Sequence, residues 1–167
     1  MIKTEPIKRS PALVQFSRDH HFSLLLVWKI RQGLQFGIEP QRISSYINFF
    51  FKNYLVEHFK QEEELLFEHL DNNNELRKIT QEDHTALIEY AKEIEKNSKG
   101  TTLLTDFADR LEKHIRFEER QLFNELQNKL DESELNIIAV KMEELHLSKK
   151  EDDWKDLFWM KNKNYSE

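Results

Sequence analysis

The sequence contains no cysteine, and its 167 residues include only three glycines and three prolines. Without cysteine, this chain cannot form disulfides, ligate iron–sulfur clusters or use thiol chemistry. The scarcity of glycine and proline favours long helices joined by short turns. Long hydrophobic runs are also missing, since the longest, residues 24–28, is far shorter than the ~20 residues that span a bilayer.

The balance of charge narrows the class of protein further. The formal net charge is −6, which disfavours non-specific binding to nucleic acid. Apolar residues make up 38% of the chain, which is too many for a disordered protein. The first ten residues lack the apolar stretch of a signal peptide. We therefore expect a cytoplasmic protein with no membrane contact. Its single domain would span residues 1–167, with a bundle at about 10–130 and a C-terminal helix and tail at 131–167.

Apolar residues recur at steps of three and four along four long segments, which is the spacing of amphipathic helices. Ser10 and Pro11 match an N-cap followed by proline at the first helical position. The predicted helices cover residues 11–33, 41–70, 75–97 and 102–130, with a shorter fifth helix at about 133–146. This pattern predicts an all-α, up-down-up-down four-helix bundle with an additional short C-terminal helix.

Each of the four long helices carries a histidine within its apolar stripe; these are His20, His58, His84 and His114. Glu62 and Glu118 follow two of them after four residues. Residues at this spacing share one helix face, so one metal ion can bind both side chains, or the glutamate can bridge to a second ion. A buried, ionised carboxylate without a partner costs several kcal/mol, and a divalent cation compensates for that cost.

An internal repeat relates the two halves of the chain. Asp19-His20 corresponds to Asp83-His84, and both His58 and His114 begin the pattern His-x-x-x-Glu-Glu-x-x-Leu-Phe. An approximate two-fold axis would bring the four histidines and two glutamates together at the bundle centre. Imidazole and carboxylate ligands suit two iron ions, with manganese or zinc possible.

The alternative interpretation of these residues is a polar core without metal. A single histidine on an apolar face is usually a hydrogen-bonded core residue, and four could form a polar core held by His–Glu hydrogen bonds. Their repeated context favours the metal site. Four neighbouring charged residues are interpreted as a solvated face with helix ion pairs: Glu63, Glu64, Glu119 and Arg120.

At these motifs the sequence resembles the hemerythrin-like, or HHE cation-binding, family. The resemblance covers about residues 10–130 and implies a four-helix bundle with a non-haem di-iron centre. It also implies terminal and bridging metal ligands; the terminal ones would be His20, His58, His84 and His114, and the bridging ones Glu62 and Glu118.

The sequence departs from two branches of that family. Oxygen-carrying hemerythrins have a second histidine in the third helix, where this chain has Ile88, and a His-x-x-x-x-Asp pair in the fourth. The missing histidine predicts an extra open or water-filled coordination position. Four histidines and two glutamates are similar to the ligand set of iron-cluster repair proteins, which usually carry an additional N-terminal segment with cysteines.

Several other residues compete for a role in the site. His21 could replace His20, but the parallel with Asp83-His84 and the family register favour His20. His69 is expected near the bundle end, and His146 on the surface. Tyr54, one turn before His58, is interpreted as a packing residue, with a hydrogen bond to a metal ligand or bound dioxygen as the alternative.

Three functions follow as hypotheses. The first is a di-iron protein that binds or responds to a small diatomic ligand (dioxygen or nitric oxide) or peroxide, or that handles iron. The second is a di-iron oxidoreductase, a peroxidase or an NO-handling enzyme of the iron-cluster repair type. The third is a metal-free helical interaction module. The apolar tail at residues 154–160 is expected to pack on the bundle, and a protein partner or dimer contact is its alternative role.

Overall fold

The computed structural model describes residues 8–145 and 152–161, and all regular secondary structure in these ranges is helical. The helices are α1 (Pro11–Gln35), α2 (Pro40–Phe50), α3 (Val56–Leu66), α4 (Glu75–Lys96), α5 (Thr101–Phe117), α6 (Phe123–Lys129) and α7 (Glu132–Leu145). In these ranges, no helix combines the length and the apolar character needed to cross a bilayer.

The bundle consists of four long rods, two of which are interrupted by a short π-helical turn. Helices α1 and α4 form the first and third rods. The turn Phe51–Leu55 joins α2 to α3, and the turn Glu118–Leu122 joins α5 to α6. A single 3-10 turn, Phe67–His69, ends the second rod. Such π-helical turns occur often at functional sites. The first ends three residues before His58 and the second begins at Glu118, so each lies beside the His-x-x-x-Glu motif of its rod.

Contacts between the rods show that neighbours run antiparallel. Along α1, Arg9 pairs with Glu119 at 2.9 Å, whereas Arg31, further along, pairs with Glu112 at 2.7 Å. The residue number on the fourth rod therefore falls as that on α1 rises. The same reversal relates the second rod to α4, where Lys52 pairs with Glu95 and Glu63, further along the rod, contacts His84. The predicted four-helix bundle with an additional C-terminal helix is confirmed.

Local sequence signals account for the helix ends. The Ser10 hydroxyl accepts a hydrogen bond from the backbone N–H of Ala12, as an N-cap does. Asp131 and Glu134 exchange side-chain to backbone bonds at the start of α7, so this helix begins one residue before the predicted Ser133.

The first helix continues two residues beyond the predicted end at Gly33. Gly33 lies inside the helix, where a Cβ atom would come within 2.8 Å of the Phe158 ring, so the close packing of Phe158 requires glycine. The chain instead turns at Gly37, whose φ of 66° suits glycine. Glycine therefore marks a close contact at one position and the helix stop at the other.

Two apolar cores lie at opposite ends of the bundle. One includes Ile30, Ile47, Phe107 and Leu111, and the other includes Leu13, Phe16, Leu66 and Phe123. Helix α7 extends the second core with Ile138 and Met142. The histidines and glutamates singled out in the sequence occupy the layer between these two cores.

Residues 152–161, here named the C-terminal strap, cover the first core. Phe158 and Trp159 are buried within it, and Trp154 packs against Phe49 with ring centroids 4.9 Å apart. Arg42 holds the strap through both carboxylate oxygens of Asp156. The prediction that the apolar tail packs on the bundle is confirmed for these aromatic residues, whereas Leu157 and Met160 point to solvent. His146 lies outside the described residues.

Candidate metal centre

The four rods bring all six candidate ligands into one buried layer. Each rod contributes one histidine, and the second and fourth rods add one glutamate each, one helical turn further on. None of the six is more than 6% exposed, and both glutamates are fully buried. A fully buried carboxylate pair requires compensating positive charge.

The ligand atoms form two overlapping groups, and within each group all atoms lie within 4.8 Å of one another. The first group consists of His20, His58, Glu62 and Glu118. The second consists of Glu62, His84, His114 and Glu118. Each group thus has two histidines of its own, and both groups share the two glutamates. This is the arrangement expected for two adjacent ions bridged by two carboxylates.

Each shared glutamate directs one oxygen to each group. Glu62 Oε1 lies 2.8 Å from His58 Nε2, and its Oε2 lies 3.1 Å from His84 Nε2. Glu118 Oε2 lies 2.9 Å from His20 Nε2, and its Oε1 lies 3.3 Å from His114 Nε2. Both carboxylates are therefore oriented to bridge.

Glu118 provides a direct test of whether a cation fits this layer. Neither of its oxygens has a hydrogen-bond partner, although both are buried and imidazole nitrogens lie close by. The Nε2 atom of His114 is also unpartnered. Atoms that converge at ligand distance without hydrogen-bond geometry are poorly satisfied by protons. They fit a metal ion, which accepts lone pairs from all of them.

A second set of carboxylates lies behind the histidines and contacts their Nδ1 atoms. Glu119 lies 2.7 Å from His20 and Glu63 lies 2.8 Å from His84. Such outer carboxylates fix the ring orientation and tautomer of metal-binding histidines. The interpretation of Glu63 and Glu119 as part of a solvated face was therefore wrong. Glu64 and Arg120 are exposed as expected.

The two aspartates of the repeat back the other two histidines. Asp83 lies 3.3 Å from His114 Nδ1, and Asp19 lies 3.5 Å from His58 Nδ1. All four rings thus present Nε2 to the centre and Nδ1 to a carboxylate. Sequence reasoning noticed the Asp-His and Glu-Glu doublets but gave their outer carboxylates no role. Their appearance in both copies of the repeat was the signal that could have revealed it.

Burial and charge compete to set the pKa values of the cluster. Burial opposes protonation of His84, but the carboxylates of Glu118, Glu62 and Glu63 outweigh it and raise its pKa to about 11. The pKa of His20 is raised in the same way. Burial opposes ionisation of Glu62, yet the surrounding histidines lower its pKa. In the metal-free cluster, burial is thus outweighed by the opposite charges, which favour the imidazolium forms of His20 and His84 and the carboxylate form of Glu62.

Metal uptake is expected to release protons, because a histidine must be neutral to coordinate an ion. Ferrous iron titrated anaerobically into weakly buffered metal-free protein at pH 7 should acidify the solution, and apparent affinity should rise with pH. Binding without acidification, followed with a pH indicator, would contradict this account.

The raised histidine pKa values also make the stability of the metal-free fold depend on pH. Their stabilising contribution is complete below the unfolded pKa of about 6.5. It should be lost as pH rises towards the folded pKa of His84, about 11.

The remaining candidates lie away from the two groups. His21 is exposed, whereas His20 is buried against both glutamates, so the geometry favours His20 for the helix α1 position. His69 lies on the 3-10 turn and belongs to neither group. Tyr54 packs against Phe50 with ring centroids 4.9 Å apart.

A helical bundle with a buried layer of histidines and glutamates belongs to the class of bundles that hold metal ions between facing helices. The family model described as the hemerythrin HHE cation binding domain matches residues 15–126. The chain therefore belongs to the hemerythrin HHE cation-binding family, which confirms the resemblance seen in the motifs. Comparisons with curated proteins and with solved structures give no significant match.

Proposed function

We propose that this chain is a non-haem di-iron protein whose centre binds or responds to dioxygen, nitric oxide or peroxide. The observation that carries the proposal is the pair of fully buried glutamates, each of which directs one oxygen to each of two histidine pairs. Membership of a cation-binding family supports a metal in this place. When bound, two irons would supply redox chemistry and open positions for a small ligand.

The four imidazoles and two carboxylates form a donor set that iron accepts. Four imidazoles and two carboxylates are intermediate between the thiolate sets that favour zinc or copper and the all-oxygen sets that favour magnesium or calcium. Iron in both oxidation states accepts this mixture, as do manganese and zinc. The proposed ligands are His20, His58, Glu62, His84, His114 and Glu118.

The protein's own residues would control access and orientation. The apolar cores above and below the buried layer exclude bulk water from those two sides. The carboxylates of Glu63, Glu119 and Asp83 would hold three of the histidine rings in place. Asp19 lies 3.5 Å from Nδ1 of the fourth ring, that of His58. Held in this way, the rings would keep their Nε2 atoms directed towards a bound ion.

Metal analysis with absorption spectroscopy tests the proposal. Metal-free protein loaded anaerobically with ferrous iron should bind about two irons per chain. Exposure to air should produce near-ultraviolet bands that bleach on reduction and return with oxygen. Zinc-loaded protein is the matched control, since it should fill the site without these bands. Failure to bind iron would show that the cluster is only a polar core.

The same sample can separate ligand binding from catalysis. Iron-loaded protein should change its spectrum reversibly with nitric oxide or peroxide while consuming little of either. Sustained consumption of peroxide or nitric oxide, many times in excess over protein, would instead support the oxidoreductase hypothesis. The zinc-loaded protein again provides the background rate.

A further inference from the structure

A cavity of about 500 Å³ lies beside the candidate metal centre. Helix α1, the second rod and the C-terminal strap form its walls. Its inner end reaches Asp19 and His58, one carboxylate and one ring of the centre, and its outer part is bounded by Phe22 and Leu25. Cavities of this size with mainly apolar walls and a few placed polar groups are typical of small-molecule sites.

Apolar and aromatic side chains dominate the walls. Phe50, Tyr54 and Leu55 contribute from the second rod, and Phe22 and Leu25 contribute from α1. Phe22 and Leu25 are also 49% and 39% exposed, so the outer edge of the cavity is open to solvent. A ligand entering here would cover apolar surface that the fold leaves open.

A neutralised polar group lies at one side of the cavity. The ammonium group of Lys29 donates to the Tyr46 hydroxyl at 2.8 Å and lies 3.6 Å from Asp152 of the strap. Tyr46 in turn donates to Asp152. Because the one cation is paired with a carboxylate, this polar group offers hydrogen bonds without a net charge.

The internal repeat shows which residue opens this space. Ser23 lines the cavity three residues after His20, and the corresponding residue after His84 is Leu87. Both positions are buried, and Leu87 fills its place in the apolar core. The small serine therefore leaves room where the other half carries a leucine.

The two halves also differ at the residue four positions before the histidine of the second and fourth rods. Four residues before His114, Arg110 forms an ion pair with Asp83 at 2.7 Å. Four residues before His58 the chain has Tyr54, whose ring lines the cavity. The two halves thus supply similar ligands to the centre but different surroundings, apolar and open beside His58, and charged beside His114.

We propose that this cavity is a binding site for a small, uncharged, mainly apolar organic molecule with one hydrogen-bonding group. The apolar walls would hold its body, and the Lys29–Tyr46–Asp152 group would bond its polar end. Its position beside His58 would place the molecule next to the metal centre. Binding itself does not depend on the proposed di-iron function, because the walls are present without an ion.

Calorimetric titration with 2-naphthol tests the site, with naphthalene-2-sulfonate as its charged counterpart. Wild-type protein should bind 2-naphthol and discriminate against the sulfonate, in both the metal-free and the iron-loaded forms. Ser23→Leu, which copies the other half of the repeat, should weaken 2-naphthol binding by at least about tenfold. It should leave iron content unchanged, since Ser23 is not a proposed ligand.

A matched pair of surface variants keeps the test valid if Ser23→Leu fails to fold. Leu25→Trp would narrow the cavity mouth, whereas Ile79→Trp changes a residue of similar exposure, 38%, on α4. Only Leu25→Trp should weaken binding. No binding to the wild type, equal binding of the sulfonate, or binding unaffected by Ser23→Leu and Leu25→Trp would overturn the proposal. A loss of iron binding alone would count against the di-iron function and not against this site.

Discussion

Replacing Glu118 with glutamine is expected to abolish binding of at least one of the two proposed irons. The substitution preserves side-chain volume but removes the charge and one bridging oxygen from both ligand groups. Because neither oxygen of Glu118 has hydrogen-bond geometry in the metal-free cluster, although both lie near imidazole nitrogens, its loss should affect metal binding most. Metal analysis of anaerobically loaded protein should show about one iron per chain, or none.

Thermal unfolding with and without a chelator gives a second readout for Glu118→Gln. A bound ion at one hundred times its dissociation constant stabilises the native state by about 2.7 kcal/mol. Chelation should therefore lower the melting temperature of iron-loaded wild type much more than that of the variant. Glu125→Gln, an exposed change on the same rod, is the matched control. Wild-type iron content in Glu118→Gln would show that this residue does not bridge.

Most of the fold could be predicted from periodic apolar spacing. Helices bury one face, so apolar residues at steps of three and four marked the four long predicted helices. The ends were harder, because they depend on tertiary contacts. Gly33 resembled a helix stop, yet it lies within α1, and glycine is required there because Phe158, over a hundred residues away, packs against it.

The π-helical turns could not be predicted for a related reason. They depend on how each rod fits its neighbours, and the sequences 51–55 and 118–122 contain no glycine or proline to mark them. The predicted second and fourth helices were therefore continuous. The second of these turns begins at Glu118 itself, so the extra residue lies directly after a proposed ligand.

The six proposed ligands could be predicted because ionisable residues are costly inside an apolar stripe. The outer carboxylates could not be separated from surface residues in this way. Glu63 and Glu119 each directly follow a buried glutamate. On the sequence alone, this position falls outside the apolar stripe of the helix. Only the adjacent rods show that histidine rings from α4 and α1 reach them.

The cavity was also invisible in the sequence. Its walls come from segments far apart in the chain, and Asp152 of the strap closes one side. The repeat drew attention to what the two halves share. The difference in the surroundings of the two halves lies in what they do not share, namely Ser23 against Leu87 and Tyr54 against Arg110.

Replacing Glu119 or Glu63 with glutamine is expected to weaken metal binding about 10- to 100-fold, the usual cost of losing an outer partner of a ligand. Each carboxylate accepts the Nδ1 proton of one histidine, and so fixes the tautomer that presents Nε2 to the ion. Competition with a chromophoric chelator would measure the affinity. The matched control is Glu64→Gln, which lies on the same helix as Glu63 and has a 55% exposed side chain.

The two variants should also differ in a way that separates positioning from simple stability. Glu63 has 41% of its side chain exposed and Glu119 only 26%, and Glu119 also pairs with Arg9. Glu119→Gln should therefore have the larger effect on affinity and should shift the absorption bands of the iron-loaded protein. A general loss of stability would lower the melting temperature without moving those bands. If both variants bind iron as tightly as Glu64→Gln, the contacts at Nδ1 do not position the ligands.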